Sequence, residues 1–144
     1  MYYSGLLHDI GKIGVPDEII NGEGDLSNAE YSVVMMHPSV GADILSEIKS
    51  LPDMSIGARY HHERYDGTGY PEGIAGEKIP LLARIIAVAD SYDAMTSNRS
   101  YRSYLPQKEA REEIERNKGT QFDPVIADIM LQIIDEDKDY RFHE

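Results

Sequence analysis

LLARIIAVADSYDAMTS, residues 81–97, is the most apolar segment of this 144-residue chain, and it predicts the central helix of the fold. Its longest apolar stretch contains Arg84 and is far too short to cross a bilayer, which takes about 20 residues. Asp90 stands out, because a carboxylate buried in an apolar helix must be paired or must bind a metal ion. Asp90 could therefore pair with Arg84 or Arg59, or it could be a metal ligand.

The segments around this helix carry further helix signals. Ser27 and Glu30 form a capping box for a helix near 27–48, and Pro38 is expected to kink or divide that helix. Other helices are predicted over 52–62, 107–117 and from Asp123 onward, with a short turn at 17–20. The glycine-rich segments between them are typical of loops, and the sequence has no convincing strand-like alternation. We therefore predict an all-α domain.

The start of the chain is unusual. LLHDIGK, residues 6–12, is typical of the end of a buried helix, yet almost nothing precedes it that could begin a helix of ordinary length. The 144 residues fit one domain, and we expect this domain to begin inside a larger fold.

Composition narrows the classes of function. A net charge of −12 and a pI near 4.7 argue against a nucleic-acid polymer or an anionic membrane as a partner, and no membrane insertion is expected. The absence of cysteine excludes disulfides, thiolate zinc sites and cysteine nucleophiles, and it suits a cytoplasmic location. The N-terminus lacks the basic and apolar regions of a signal peptide.

Histidines and aspartates form a suggestive set. Four of the five histidines have a chemically suggestive neighbour, in the pairs His8-Asp9, His37-Pro38 and His61-His62. Imidazoles mixed with carboxylates suit iron, manganese or similar divalent ions, and paired metal ions are a recurring device for hydrolysing phosphate esters. A lone histidine such as His37 is more often a satisfied core or capping residue, so only the whole set favours a metal centre.

Basic side chains near this set could receive a phosphate. Lys12 follows His8 by four residues and would share its face if the helix continued that far, although a solvated lysine at a helix end is an equal alternative. Arg99 and Arg102 follow the helix that bears Asp90, and together they could make a phosphate-sized positive site.

Five motifs in order along the chain resemble the HD-GYP family, bacterial phosphodiesterases of the HD-domain superfamily that hydrolyse cyclic di-GMP. The motifs are LLHDIGKIGVPDEII (6–20), MHPSVGADIL (36–45), HHERYDGTGYP (61–71), IPLLARIIAVADSYDAMTSNRSYR (79–102) and GTQFDP (119–124). The resemblance implies an HD-domain-like helical bundle over residues 1–144, in bacterial second-messenger signalling.

The resemblance also implies roles for individual residues. The implied metal ligands are His8, Asp9, His37, His61, His62 and Asp90. Lys12 would assist at the scissile phosphate together with Asp9, Arg99 and Arg102 would hold the substrate phosphates, and Tyr70 would line the pocket. The implied cofactors are two divalent metal ions, with iron or manganese typical of the family.

Two departures from the family are visible. Family members usually have helices before the HD motif that supply another histidine and sometimes a glutamate, so this domain is expected to be N-terminally incomplete and a third ion would need upstream ligands. The loop NGEGDL, residues 21–26, lacks the lysine and proline that often occupy it in the family, and we expect this loop to be peripheral.

The resemblance favours hydrolysis of cyclic di-GMP to linear pGpG, with GMP as a further product. One alternative is a catalytically incomplete module that binds cyclic di-GMP without turnover, or that binds a diguanylate cyclase (GGDEF) domain through the Gly-Tyr-Pro loop, which contains Tyr70. Another alternative is an HD-type phosphohydrolase acting on other nucleotides. A homodimer is compatible with each of them.

Overall fold

The computed structural model describes residues 1–22, 24–97 and 104–141. The α-helices among these residues are α1 Tyr2–Leu6, α2 Asp17–Ile20, α3 Asn28–Val34, α4 His37–Ser46, α5 Asp53–Tyr60, α6 Leu81–Thr96, α7 Gln107–Arg116 and α8 Pro124–Glu136. Two short 3-10 helices cover Ile10–Gly14 and Gly76–Lys78. The described part of the chain contains no β-strand, so the predicted all-α fold is confirmed.

Local signals place most of the helix boundaries. The capping box of Ser27 and Glu30 begins α3, where each side chain accepts the other residue's backbone N–H. The helix predicted near 27–48 is divided before His37, as expected, because Pro38 suits the first turn of a new helix better than the middle of an old one. Asp123 caps α8 by accepting the N–H groups of the second and third residues that follow it.

Residues 6–12 were expected to be the end of a buried helix, and the structure differs from this expectation after Leu6. Helix α1 ends at Leu6, and a turn that contains His8 and Asp9 leads into the 3-10 helix Ile10–Gly14. A side chain at Gly11 would meet the His37 carbonyl oxygen at 1.9 Å, so the 3-10 helix lies directly on the backbone of α4. This close packing explains why the chain leaves the α-helical path where it does.

The apolar core lies mainly between α6, α7 and α8. Its buried members are Val88, Tyr92, Ala110, Ile114, Phe122, Ala127, Leu131 and Ile134. A smaller cluster of Leu45, Met54 and Ala58 joins α4 to α5. Helix α6 is the central helix, as predicted, because it packs on both α5 and the pair α7 and α8.

None of the helices in the described ranges combines the length and the apolar character needed to span a membrane.

Candidate metal centre

Six side chains from four parts of the chain meet at one point. Two of them follow α1, one begins α4, two follow α5 and one lies on α6: His8, Asp9, His37, His61, His62 and Asp90. The structure therefore brings together all six of the residues for which metal ligation was predicted. Their ligand atoms form two groups, and within each group all these atoms lie within 4.8 Å of one another.

Asp9 belongs to both groups. Its Oδ1 lies 3.2 Å from Nε2 of His37 and 3.6 Å from Nε2 of His61, in the group that also contains His62. Its Oδ2 lies 3.5 Å from Nε2 of His8, which is 3.4 Å from Oδ1 of Asp90 in the second group. A carboxylate can bind one cation with each oxygen, so this arrangement suits two ions that share Asp9.

Backbone carbonyls orient three of the imidazoles. Nδ1 of His8 donates to the carbonyl of Gly5 at 2.6 Å, and Nδ1 of His61 donates to the carbonyl of Ala58 at 2.8 Å. Nδ1 of His37 makes the same contact at 2.6 Å with the carbonyl three residues before it. Because a carbonyl can only accept, Nδ1 carries the proton in each case, and Nε2 keeps the lone pair that a metal ion requires.

Burial and neighbouring charges shape the protonation of this cluster. Burial opposes charge on Asp9, yet the contacts with His37, His61 and Lys12 hold the pKa of Asp9 well below its usual range. Burial, and next the imidazoles of His61 and His37, lower the pKa of His62 to about 3. An ionised carboxylate beside a neutral imidazole is the protonation state that metal binding needs.

His8 and Asp90 form a coupled pair. Burial disfavours charge on both, but the 3.4 Å contact between Nε2 of His8 and the Asp90 carboxylate opposes this effect, so that the pKa of His8 is raised and the pKa of Asp90 is lowered. The alternative partners for Asp90 are excluded, because Arg84 pairs with Asp123 and Arg59 pairs with Glu72. The sequence-based suggestion of an arginine partner for Asp90 is therefore wrong.

The donor set fits divalent cations. Nε2 of His8 and Oδ1 of Asp9 are buried atoms with no hydrogen-bond partner among the described residues. Buried polar atoms in native proteins are nearly always satisfied, and one ion in each ligand group would satisfy both. Four imidazoles and two carboxylates without thiolates are ligands that suit a divalent cation.

Of the residues predicted to assist catalysis or to bind the substrate, Lys12 and Tyr70 lie next to the candidate metal ligands. Nζ of Lys12 lies 2.5 Å from Oδ2 of Asp9, although no continuous helix joins Lys12 to His8. The ring of Tyr70 stacks on His62 with 4.8 Å between centroids and 20° between planes, and burial raises the pKa of its phenol. Arg99 and Arg102 lie outside the described residues.

Two features next to this centre were missed or underrated by sequence reasoning. The buried carboxylate of Glu63 follows the histidine pair, and its position beside two ligands was the available signal. The loop expected to be peripheral instead borders a cavity of about 560 Å³ that Lys12 also lines, with Asp25 and Leu26 on the loop side. Only folding brings that loop next to Lys12, so periodicity could not have indicated it.

Comparisons with known proteins agree on one family. The family model described as the HD domain matches residues 1–126. A cyclic di-GMP phosphodiesterase of Thermotoga maritima is 42% identical over 134 residues, which are 91% of this chain and 36% of that protein. A cyclic di-GMP phosphodiesterase of Pseudomonas aeruginosa is 45% identical, over 85% of this chain and 30% of that protein.

A second group of relatives is named for a different activity. A 3'3'-cGAMP-specific phosphodiesterase of Vibrio cholerae is 37% identical over 90% of this chain and 25% of that protein. A crystal structure of a cyclic GMP-AMP-specific phosphodiesterase of the same organism superposes with a TM-score of 0.62, 21% identity, and coverage of 98% of this chain and 38% of that one. At this identity the superposition shows a common fold. The chain spans between 25% and 36% of the length of the curated relatives it matches.

Proposed function

This chain belongs to the HD domain family, and we propose from that premise that it is the catalytic part of a metal-dependent phosphodiesterase that opens cyclic di-GMP to the linear dinucleotide. The observation that carries the proposal is the shared carboxylate of Asp9, which lies between two groups of ligand atoms. The relatives with cyclic dinucleotide phosphodiesterase names support the choice of substrate class.

The six side chains of the cluster would hold two divalent ions, of which iron or manganese fit the donors best. Bound metal ions of this kind lower the pKa of a coordinated water and neutralise charge on phosphate oxygens. Asp9 would keep the two ions close by giving each of them one oxygen. The carbonyl-oriented imidazoles of His8, His37 and His61 would keep the ions in place without rearrangement. A third ion would need ligands from outside the described residues.

Lys12 is proposed to hold a phosphate oxygen. Its side chain is 43% exposed and its ammonium group pairs with Asp9, so Lys12 lies between the candidate metal ligands and solvent. From this position the lysine charge could hold an oxygen of an anionic substrate that binds beside Asp9. Arg99 and Arg102 are proposed to bind the substrate phosphates, and Tyr70 to line the pocket, as the family resemblance implies.

The full ligand set favours an enzyme over a module that only binds the nucleotide. Every implied ligand that the chain carries lies in the cluster. Contact of the Gly-Tyr-Pro loop with diguanylate cyclase domains, a homodimer, a cytoplasmic location and further hydrolysis to GMP stay predictions.

Metal content and product formation test the proposal together. The chain, and the longest natural reading frame that contains it, are loaded anaerobically with iron or manganese and given cyclic di-GMP or 3'3'-cGAMP. We expect about two ions per chain, as the paired-ion device requires, and a linear dinucleotide that disappears with a chelator. Absence of bound transition metal, or of turnover of either nucleotide, would contradict the proposal.

A variant separates the role of the lysine from that of the metal ligands. Lys12→Met is expected to retain the ions and to lower kcat/KM by about 100-fold, as for loss of one charge-stabilising group. The matched control is Lys108→Met, because this lysine is 85% exposed on α7, and its kcat/KM should stay at the wild-type value. Equal kcat/KM values for the two variants would remove Lys12 from the mechanism.

A further inference from the structure

The loop that follows the two histidines folds back onto the backbone that carries them. We call residues 66–73 the Gly-Tyr-Pro loop. The Tyr70 N–H donates to the carbonyl of His62 at 3.2 Å, and the Gly67 N–H donates to the carbonyl of Arg64 at 2.8 Å. A side chain at Gly69 would lie 2.5 Å from the carbonyl oxygen of His62, so only glycine permits this approach. The part of the loop at Gly69 and Tyr70 therefore lies against the metal centre.

Glu63 forms hydrogen bonds with the backbone at the far end of this loop. Its Oε1 accepts the backbone N–H of Glu72 at 2.7 Å and that of Gly73 at 3.1 Å. The residue is only 3% exposed, and its Oε2 is buried with no hydrogen-bond partner among the described residues. Burying a carboxylate in this way is costly, so a stability role alone explains it poorly.

Tyr70 forms one of the two attachment points and lies two residues before the other. The loop is bonded to the His62 carbonyl at Tyr70 itself and to the Glu63 carboxylate two and three residues later. The Tyr70 ring itself stacks on the imidazole of His62. The His62 ring in turn lies 4.1 Å from the His61 ring, centroid to centroid, inside the ligand cluster.

We propose that Glu63 is a positioning residue for the proposed phosphodiesterase. Its carboxylate binds the backbone at the end of the Gly-Tyr-Pro loop and so holds the loop next to the His61-His62 segment. This contact keeps Tyr70 against His62 on the substrate side of the metal centre. Glu63 acts through the backbone of Glu72 and Gly73 and does not itself touch the substrate. The proposal rests on the proposed function for the identity of the substrate, whereas the attachment of the loop can be measured without turnover.

Three substitutions of Glu63 separate the acceptor from the charge. Glu63→Gln keeps one oxygen that can accept both N–H groups, so we expect near-normal behaviour. Glu63→Asp keeps the charge but is one methylene too short to reach both N–H groups, and Glu63→Ala removes the acceptor. For the aspartate and alanine variants we expect amide hydrogen exchange at residues 72 and 73 to rise about 10-fold, as for loss of a charge-assisted hydrogen bond. Glu77→Ala is the matched control, since Glu77 is an exposed carboxylate just beyond the loop.

Kinetics of the metal-loaded protein show whether the loop acts on substrate. Glu63→Asp should retain its ions and raise KM for cyclic di-GMP about 10-fold, the change that corresponds to the same lost hydrogen bond, while kcat changes less. Tyr70→Ala should have a similar effect, and the double variant Glu63→Asp/Tyr70→Ala should be little worse than either single one, because both changes remove the same contact.

The outcomes distinguish this proposal from simple stabilisation and from failure of the proposed function. A lower unfolding temperature with unchanged KM, or additive effects of Glu63→Asp and Tyr70→Ala, would show that Glu63 is merely structural. A glutamine variant as impaired as the aspartate variant would exclude the two-amide attachment. If the wild-type protein binds metal but turns over no cyclic dinucleotide, the proposed function fails, while the exchange rates at 72 and 73 still decide whether Glu63 holds the loop.

Discussion

The region that carries the histidines and the region that follows it are built in opposite ways. In residues 81–136, which we call the C-terminal half, α6, α7 and α8 enclose one continuous apolar core. In residues 2–62, the histidine half, the apolar cluster has only three fully buried members, and the imidazoles of His37 and His61 are buried beside it. One half buries apolar area, which stabilises the fold, whereas the other also buries imidazoles, whose loss of hydration must be offset by polar contacts.

Helix α6 belongs to both regions and shows how they are joined. Val88 and Tyr92 face the C-terminal core, while Asp90 between them faces His8. The helical period places residues two apart on different sides of a helix. One helix can therefore pack against an apolar core on one side and carry a candidate metal ligand on the other. Substitutions in the two halves should therefore separate loss of activity from loss of stability.

The largest effect is expected for Asp9→Asn in the histidine half. A neutral amide cannot bridge two cations as a carboxylate does, so metal content should fall and kcat/KM should drop by at least about 100-fold, since even loss of an outer partner of a metal ligand costs 10- to 100-fold. Elemental analysis and kinetics on the same sample would measure both. Asp43→Asn, an exposed change on α4, should alter neither. Retention of both ions by Asp9→Asn would refute the bridging role.

Ile114→Ala should have the next largest effect. It should change the free energy of unfolding and not the metal content. Ile114 is 0% exposed in the core between α7 and α8, so truncation should lower the free energy of unfolding by about 2–5 kcal/mol. Chemical denaturation of the metal-free protein would measure this loss. Ile129→Ala on α8, where the side chain is 48% exposed, is the matched control and should cost less than about 1 kcal/mol. Metal content per folded chain should be unchanged in both variants.

A smaller effect, and one that depends on pH, is expected at Asp123. Burial opposes its charge, but Arg84 and the N–H groups of Ile126 and Val125 lower the pKa of this carboxyl in the folded state. A lowered folded-state pKa stabilises the fold above the unfolded value near 3.9, and this contribution is lost as pH falls below it. The free energy of unfolding of the wild type should therefore decline more steeply from about pH 5 to pH 3 than that of Asp123→Asn.

The matched control for Asp123 is an exposed carboxylate of the same helix. Asp128 pairs with Lys118 at the surface, where ion pairs contribute about 0–1 kcal/mol. Asp128→Asn should therefore leave the slope of stability against pH close to that of the wild type. Equal slopes for Asp123→Asn and the wild type would show that the paired cap contributes nothing through its charge.

The smallest effect is expected at the exposed cap of the histidine half. Ser27→Ala removes the side-chain acceptor of the α3 capping box and should cost about 1 kcal/mol in free energy of unfolding. Ser32→Ala, in the same helix, removes only a bond to a helix carbonyl and should stay within about 0.5 kcal/mol of the wild type. A loss at Ser27 equal to that at Ile114 would contradict the division of stability between the two halves.

Local signals predicted the fold where neighbours in sequence decide the structure. The capping box at Ser27, the break before Pro38 and the cap at Asp123 each act within a few residues, and each was found where the sequence predicted it. The resemblance to HD-domain phosphodiesterases is likewise confirmed by the family match and the relatives. The path after Leu6 was predicted wrongly, because contact of Gly11 with α4 depends on residues far along the chain.

The sequence by itself determined the chemistry available to this protein: helices, no thiols, and imidazoles and carboxylates enough for a metal centre. Only the tertiary structure decided that Asp9 is shared between two ligand groups, that Asp90 pairs with His8 and not with an arginine, and that Glu63 holds the Gly-Tyr-Pro loop. The physical reason is one of distance. Helical periodicity states which side of a helix a residue occupies, whereas ligand sharing and hydrogen bonding depend on contacts of about 3 Å between segments that only packing brings together.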